Sequence, residues 1–302
     1  MEFKQLQSFV EVVNYQSFTK AADKLFISQP TVSAHITQLE EELNTKLIYR
    51  TTKSISLTEK GAEVYDYATK ILGLKTRMLE ACSVQPKNII HIGASTIPSA
   101  YILPEILQEF GSITKDTYFS IHQSDSQGII NSLKEGLFDI GMIGMKPDDD
   151  EIKCIPVCQD NMIIITPVND HFLELKYEGN YSLRELLAEP IIMREAGSGS
   201  KKTADMFLEK LGIQDNDINI IARINDQEAI KNMVASGLGI SIISELAVKN
   251  LLAEKRVLGF PLDKKYSGRQ IYLVYRKDYT LNSQLKDFLK FVQKKLLNNN
   301  KG

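Results

Sequence analysis

At 302 residues the chain has room for two or three domains, and its 43% hydrophobic and 25% charged residues exclude disordered and fibrous classes. The net charge of −2 gives no global sign of a polyanionic partner, and three cysteines (Cys82, Cys154, Cys158) are too few for a disulfide framework, so a reducing, cytoplasmic setting is expected. The N-terminus has no apolar core for a signal peptide, and nowhere do about 18 apolar residues run together, so no membrane partner is expected.

The spacing predicts a first helix over 4–13, with Leu6, Phe9, Val10 and Val13 facing inward. Ser17 is placed to cap a second helix, where Ala21, Ala22 and Leu25 recur at helical spacing until Phe26-Ile27-Ser28 interrupts. Ser28 is a natural N-cap, and Pro30 falls in the first turn of the next helix, where its missing N–H costs nothing. Val32, Ile36, Leu39 and Leu43 continue one apolar stripe. The opposite face carries Gln29, Thr31, Ser33, Thr37 and Gln38, short polar groups suited to base edges and phosphates, which is the pattern of a recognition helix. Two short strands, 47–50 and 54–57, joined by the polar turn Thr51-Thr52-Lys53, complete a winged helix-turn-helix.

Residues 1–60 hold seven Lys/Arg and seven Asp/Glu, so distribution matters more than the sum. The acids Glu40-Glu41-Glu42 sit at the far end of the recognition helix, while Arg50, Lys53 and Lys60 lie in or beside the wing, placed for phosphates. Such neutrality implies modest affinity per monomer, which pairing two half-sites would raise.

Thr58 is placed to cap a long helix to about Ser83, with Val64, Ala68, Ile71, Lys75, Met78 and Cys82 in an a/d-like seam and Tyr65, Leu72 and Leu79 beside it. That face packs either on its own chain or on a second copy. Pro86 ends the helix and marks the main boundary. From Asn88 strands and helices alternate, and GIINSLKEGLFDIGMI (128–143) echoes EAIKNMVASGLGISII (228–243). This predicts an α/β region of two similar lobes with mostly parallel sheets and a final amphipathic helix carrying Leu285, Phe288, Leu289, Val292 and Leu296.

The run A-A-x-x-L-x-x-S-Q-P-x-V-S-x-x-I-x-x-L-E-x-x-L-x-x-x-L-x-x-R, from Ala21 to Arg50, resembles the LysR-type transcriptional regulators. Asn44 departs from that family's usual glycine at the helix end, and asparagine is the next choice for a left-handed cap. The resemblance implies an α/β fold with an N-terminal winged helix-turn-helix DNA-binding domain over 1–60, a linker and dimerisation helix over 61–87, and a periplasmic-binding-protein-like effector domain over 88–302. The latter would divide into lobe I (88–162 and 265–302) and lobe II (163–264). It also implies double-stranded promoter DNA as partner, a homodimer or homotetramer, and a contact with RNA polymerase. Carried over by position, Gln29, Pro30, Thr31 and Ser33 enter the DNA, and Arg50 and Lys53 meet phosphates.

In α/β sheets ligands bind beyond the carboxyl ends of strands, beside helix N-termini. The expected effector residues are Ser95 and Thr96 after the opening strand, Ser124 and Ser126 at the next helix start, Gly197, Ser198 and Gly199 in a glycine-rich turn, and Asp226 before Glu228. Each stretch has a plainer reading as a helix cap. The segment Gly93-Ala94-Ser95-Thr96-Ile97-Pro98 before Leu103-Pro104 is similar to LysR-type regulators of sulfur and cysteine metabolism. That likeness implies an anionic effector, a sulfur oxyanion or an O-acetylserine-like metabolite, with an organic or aromatic carboxylate as alternative.

An enzyme reading finds little. GSGSKKT at 197–203 fails the P-loop spacing, the four histidines lack metal-ligand spacing, and no nucleophile elbow occurs, so no catalytic residue, metal or cofactor is expected. Cys154 and Cys158, an even number apart on a predicted strand, are expected to share a face as structural cysteines. The competing class, a solute receptor or enzyme with an accessory helical N-terminus, would be separated by gel shifts.

Overall fold

A computed structural model describes residues 1–50, 55–83, 88–114, 116–179, 181–195, 199–263, 267–278 and 281–299. The chain divides into two compact units, Met1–Lys87 and Asn88–Gly302.

The first unit holds α1 (Phe3–Tyr15), α2 (Phe18–Leu25), α3 (Gln29–Glu42), β1 (Ile48–Arg50), β2 (Ile55–Leu57) and α4 (Glu59–Ala81). Three hydroxyls start three helices: Ser17 accepts from Lys20 N, Ser28 from Thr31 N and Thr58 from Gly61 N. Asn44 sits at φ 48°, ending α3 as a left-handed cap. Leu6, Phe9, Val12, Ala21, Val32, Ile36 and Leu39 form one core, onto which Ala68 of α4 packs with Val64, Tyr65, Ile71 and Leu72. Leu43, expected to extend the stripe, is 37% exposed, because the helix ends there and its side chain leaves the core face. Of the three acids at the end of α3, Glu40 is buried. Its carboxylate accepts from Leu47 N (2.9 Å), Ile48 N (3.3 Å) and Lys46 Nζ (2.7 Å), so it closes the approach to β1. A Cβ on Gly61 would lie 1.9 Å from the Leu47 carbonyl oxygen, so this close approach requires glycine.

In the second unit β3 (Asn88–Ala94) runs parallel to β4 (Thr117–Gln123) and to β5 (Ile140–Ile143). A π-helical turn, Pro98–Ile102, precedes α5 (Leu103–Ile113), and α6 (Ser126–Lys134) follows β4. β6 (Ile152–Thr166) is 15 residues long and serves two lobes. Its residues 152–161 pair with β11 (Gly268–Arg276), while 162–166 pair with β9 (Ser241–Ser244) and β10 (Leu258–Pro261). The second lobe adds α7 (Asp170–Glu178), α8 (Leu183–Leu187), parallel β7 (Ile191–Arg194) and β8 (Ile220–Ile224), α9 (Gly199–Lys210), α10 (Gln227–Ala235) and α11 (Glu245–Ala253). The final helix α12 (Ser283–Asn299) returns to the first lobe, where Phe288 meets Phe110 at 5.0 Å.

The expectation of mostly parallel sheets needs correction. β11 is antiparallel to β5 and β6, and β6 is antiparallel to β9 and β10, because the strands that carry the chain between lobes run back along their neighbours. The shared face for Cys154 and Cys158 is also overturned. The register on β11 slips at Ile271/Tyr272, which pair with Cys158 and Pro156, leaving Val157 as a bulge. One extra residue reverses the alternation, so Cys154 packs against the cluster that contains Ile129, Ile152 and Val274 and Cys158 against the one that contains Phe110 and Leu273. Among the described residues no helix is long and apolar enough to cross a membrane.

Candidate nucleic-acid interface and ligand pocket

Burial of Val32, Ile36 and Leu39 turns the other side of α3 outward. Gln29, Pro30, Ser33, Ala34, Thr37 and Gln38 border one shallow depression on that side, with Glu41 at its far edge. Thr31 Oγ1 lies 2.7 Å from Ser28 Oγ, so its hydroxyl is drawn into the helix start. Gln38 Oε1 accepts from Gln5 Nε2 at 3.2 Å, which orients its amide. Arg50 closes β1 opposite Ile55, and Lys53 lies outside the described residues.

The second unit has a cavity of about 280 Å³ between its lobes. The first lobe contributes Ser95, Thr96 and Ile97 from the end of β3 and Gln123, Ser124, Asp125 and Ser126 from the β4–α6 junction. The second contributes Arg194, Glu195, Ser200 and Asn225, and Arg269 enters from β11. The loop after β3 is held by Ser95 N donating to Met142 O at 2.9 Å. Asp125 caps α6 by accepting from Gly128 N at 2.7 Å, and a Cβ on Gly128 would lie 2.6 Å from Ser124 Oγ. Thus four expected residues, Ser95, Thr96, Ser124 and Ser126, converge on one cavity. Asp226 does not line it: its carboxylate accepts from Glu228 N (2.7 Å) and Ala229 N (3.3 Å) to cap α10, while the preceding Asn225 faces the cavity. Gly199 opens α9, and Gly197 and Ser198 lie outside the described residues.

Charge is arranged asymmetrically. Arg269 is already committed, with Nε and Nη2 donating to Asp160 Oδ2 at 2.9 and 2.8 Å and Nη2 also to Ser200 Oγ at 3.3 Å. Asp160, fully buried, accepts from Ser244 Oγ at 2.7 Å on its other oxygen. Arg194 is the reverse case. Its Nε is buried with no hydrogen-bond partner among the described residues, as is Ser126 Oγ in the same cavity. Burial pulls the Arg194 guanidinium below its ordinary pKa, opposed by Asp226 and Glu195. Gln227, two residues past Asn225, is buried with neither amide atom bonded. The sequence analysis did not single out Arg269, Asp160 or Gln227; each has polar neighbours in the chain, so no local pattern marked it.

A second polar cluster joins the lobes beside the cavity. Ile97, with Tyr101 and Ile102 of the π turn, packs into the second-lobe core of Ile163, Ile230, Val234 and Val248. The Tyr101 hydroxyl donates to Glu228 Oε1 at 2.9 Å and accepts from Lys231 Nζ at 3.2 Å, and Lys231 also donates to Ala247 O at 3.0 Å. Lys231 is thereby held above its ordinary pKa: burial lowers it, but the bonds to Glu228 and Tyr101 outweigh that.

Residues 3–62 match the bacterial regulatory helix-turn-helix protein, lysR family, and residues 83–297 match the LysR substrate binding domain. An uncharacterized HTH-type transcriptional regulator of Methanocaldococcus jannaschii, MJ0300, is 34% identical over 292 residues, 95% of this chain and 97% of that protein. The RuBisCO operon transcriptional regulator of Allochromatium vinosum is 29% identical over 97% of this chain and 95% of its own. Among solved structures, the LysR family regulator CbnR superposes with a TM-score of 0.70 at 19% identity, over 98% of this chain and 99% of that one. Its complex with target DNA gives 0.68 at 20% identity, over 97% and 99%. The chain belongs to the LysR family and is a DNA-binding transcriptional regulator with an effector-binding domain.

Proposed function

We propose that the exposed face of α3, with Gln29, Pro30, Thr31 and Ser33 leading, enters the major groove while Arg50 and Lys53 of the wing meet flanking phosphates. The domain scheme that goes with this is 1–60 for DNA, 61–87 for pairing and 88–302 for the effector. α4 supplies the pairing seam with its later turns, since its earlier turns cover the unit's own core while Leu74, Met78 and Leu79 are 44%, 58% and 58% exposed. A homodimer or a tetramer built from dimers follows. If replacing Thr31 and Ser33 together by alanine leaves a sequence-specific gel shift intact, the α3 assignment fails.

In the same reading a small anionic metabolite occupies the cavity between the lobes and biases their arrangement, as it must bind the two arrangements unequally to act. The buried, unpartnered Arg194 Nε and Ser126 Oγ, both on residues lining this cavity, are the observation that carries this, since buried polar groups are satisfied in native structures and the oxygens of a bound anion would satisfy them. The ligand class is a sulfur oxyanion or an O-acetylserine-like metabolite. The Gly93–Pro98 likeness supports it, and so does the lining, where Ile97 is the one apolar side chain among the described residues. That lining disfavours an aromatic carboxylate. Calorimetry on residues 88–302 should show binding of sulfite, sulfate, thiosulfate or O-acetylserine; binding of an aromatic carboxylate with none of these would overturn it.

A further inference from the structure

Phe26 ends α2 in an unusual state. It is 95% exposed, the most exposed large hydrophobic residue among those described, although twelve described residues of the same small domain are buried in its core. Its backbone is also left-handed, at φ 55°, where a bulky side chain is disfavoured and glycine or asparagine is the ordinary choice. The turn itself needs only main-chain atoms: Phe26 N donates to Asp23 O at 3.3 Å and Ile27 N to Ala22 O at 3.1 Å. The ring therefore contributes nothing visible to the fold and occupies a position another residue would fill at lower cost. Strain of this kind persists where function requires it.

Its location says what the ring meets. Two residues later Ser28 caps α3, so Phe26 stands at the same end as Gln29 and Pro30, the leading edge of the polar face. Ile27, its neighbour, is also exposed, at 37%. A duplex lying along that edge presents apolar carbon in two forms, the thymine C5 methyl in the major groove and the deoxyribose of the backbone.

We propose that Phe26 is a DNA-contacting residue, laying its ring on apolar carbon of the duplex beside the entry of α3. The proposal rests on the α3 reading above, yet it fails separately: a Thr31/Ser33 double variant that loses its gel shift while Phe26 variants do not would remove Phe26 alone. Binding removes an almost fully exposed ring from water in each half-site, which supplies affinity without sequence charge. That suits a domain whose basic and acidic residues cancel.

The test uses the full chain and a duplex that the wild-type protein selects from a random pool. Phe26→Asn puts the favoured left-handed residue at φ 55°, so its melting temperature should equal or exceed that of wild type, while its affinity for the selected duplex should fall about ten-fold. Unchanged affinity overturns the proposal. A melting temperature that falls together with affinity also overturns it, because Phe26 would then be structural. A second arm repeats the titration with deoxyuridine for thymine. If the wild type weakens and Phe26→Asn does not, the contact is a thymine methyl; if both respond alike while the Phe26→Asn defect persists, it is deoxyribose. Gel filtration of Phe26→Asn should match the wild type, and a change of oligomeric state would instead assign the ring to pairing and overturn the proposal.

Discussion

Replacing Tyr101 by phenylalanine removes one oxygen from the junction between the lobes and little else. The ring remains beside Lys231 Nζ, which lies 5.5 Å from its centroid. Lys231 keeps Glu228 at 2.7 Å and Ala247 O at 3.0 Å, and Glu228, with a side chain 64% exposed, recovers its lost partner from water. The change is therefore close to one hydrogen bond, about 1 kcal/mol, or a factor of about five in the balance between joined and separated lobes. Lys231→Met is harsher. It strips the donor from a nearly buried position, leaving the Ala247 carbonyl and the Tyr101 hydroxyl facing a thioether, at about 2–3 kcal/mol. Hydrogen exchange on the full chain, followed over 97–106 and 227–235, reads this opening directly. Protection should drop about five-fold in Tyr101→Phe and further in Lys231→Met, with 1–87 unaffected. Equal protection in all three proteins would refute the idea that this cluster holds the lobes together.

Three further outcomes follow from the geometry. Burial raises the Glu40 carboxyl, but bonds from Lys46, Leu47 and Ile48 outweigh that and hold it below the ordinary glutamate value. A group depressed on folding stabilises above its unfolded pKa and loses that contribution as pH falls through the folded one, so protection of the Leu47 and Ile48 amides should fade in mild acid, and Glu40→Ala should remove it at neutral pH at a cost of about 3 kcal/mol. Burial pushes the Cys158 thiol up to about 11, so at pH 8 Cys158 should be alkylated far more slowly in the native protein than in the unfolded chain. Asp160→Asn takes the counter-charge from Arg269, which should lower thermal stability by about 3 kcal/mol and raise affinity for a dianion in the cavity, read by calorimetry.

Local rules account for what the sequence made legible. Ser17, Ser28 and Thr58 as caps, and Asn44 as a left-handed stop, depend on residues within one turn, and each is found where expected. The four cavity residues Ser95, Thr96, Ser124 and Ser126 were legible because strand ends and helix starts carry the same signal. What was hidden depends on partners far along the chain. Glu40 looks like its acidic neighbours until Leu47 and Ile48 turn back onto it. The bulge at Val157 is set by how β6 meets β11, more than a hundred residues later, so period-two counting put both cysteines on one face. Asp160 and Arg269 recognise each other across those same strands, and neither stands in a motif. The helices α7, α8 and α11 went unread because their apolar stripes are short.

Occupancy of the cavity should change how the protein sits on DNA. Footprinting the full chain on its selected duplex, with and without thiosulfate or O-acetylserine, tests it in wild type and in Arg194→Gln together. The footprint should change with one of these ligands in the wild type and stay fixed in Arg194→Gln. A wild-type footprint indifferent to both, or an identical change in the Arg194→Gln protein, would contradict it.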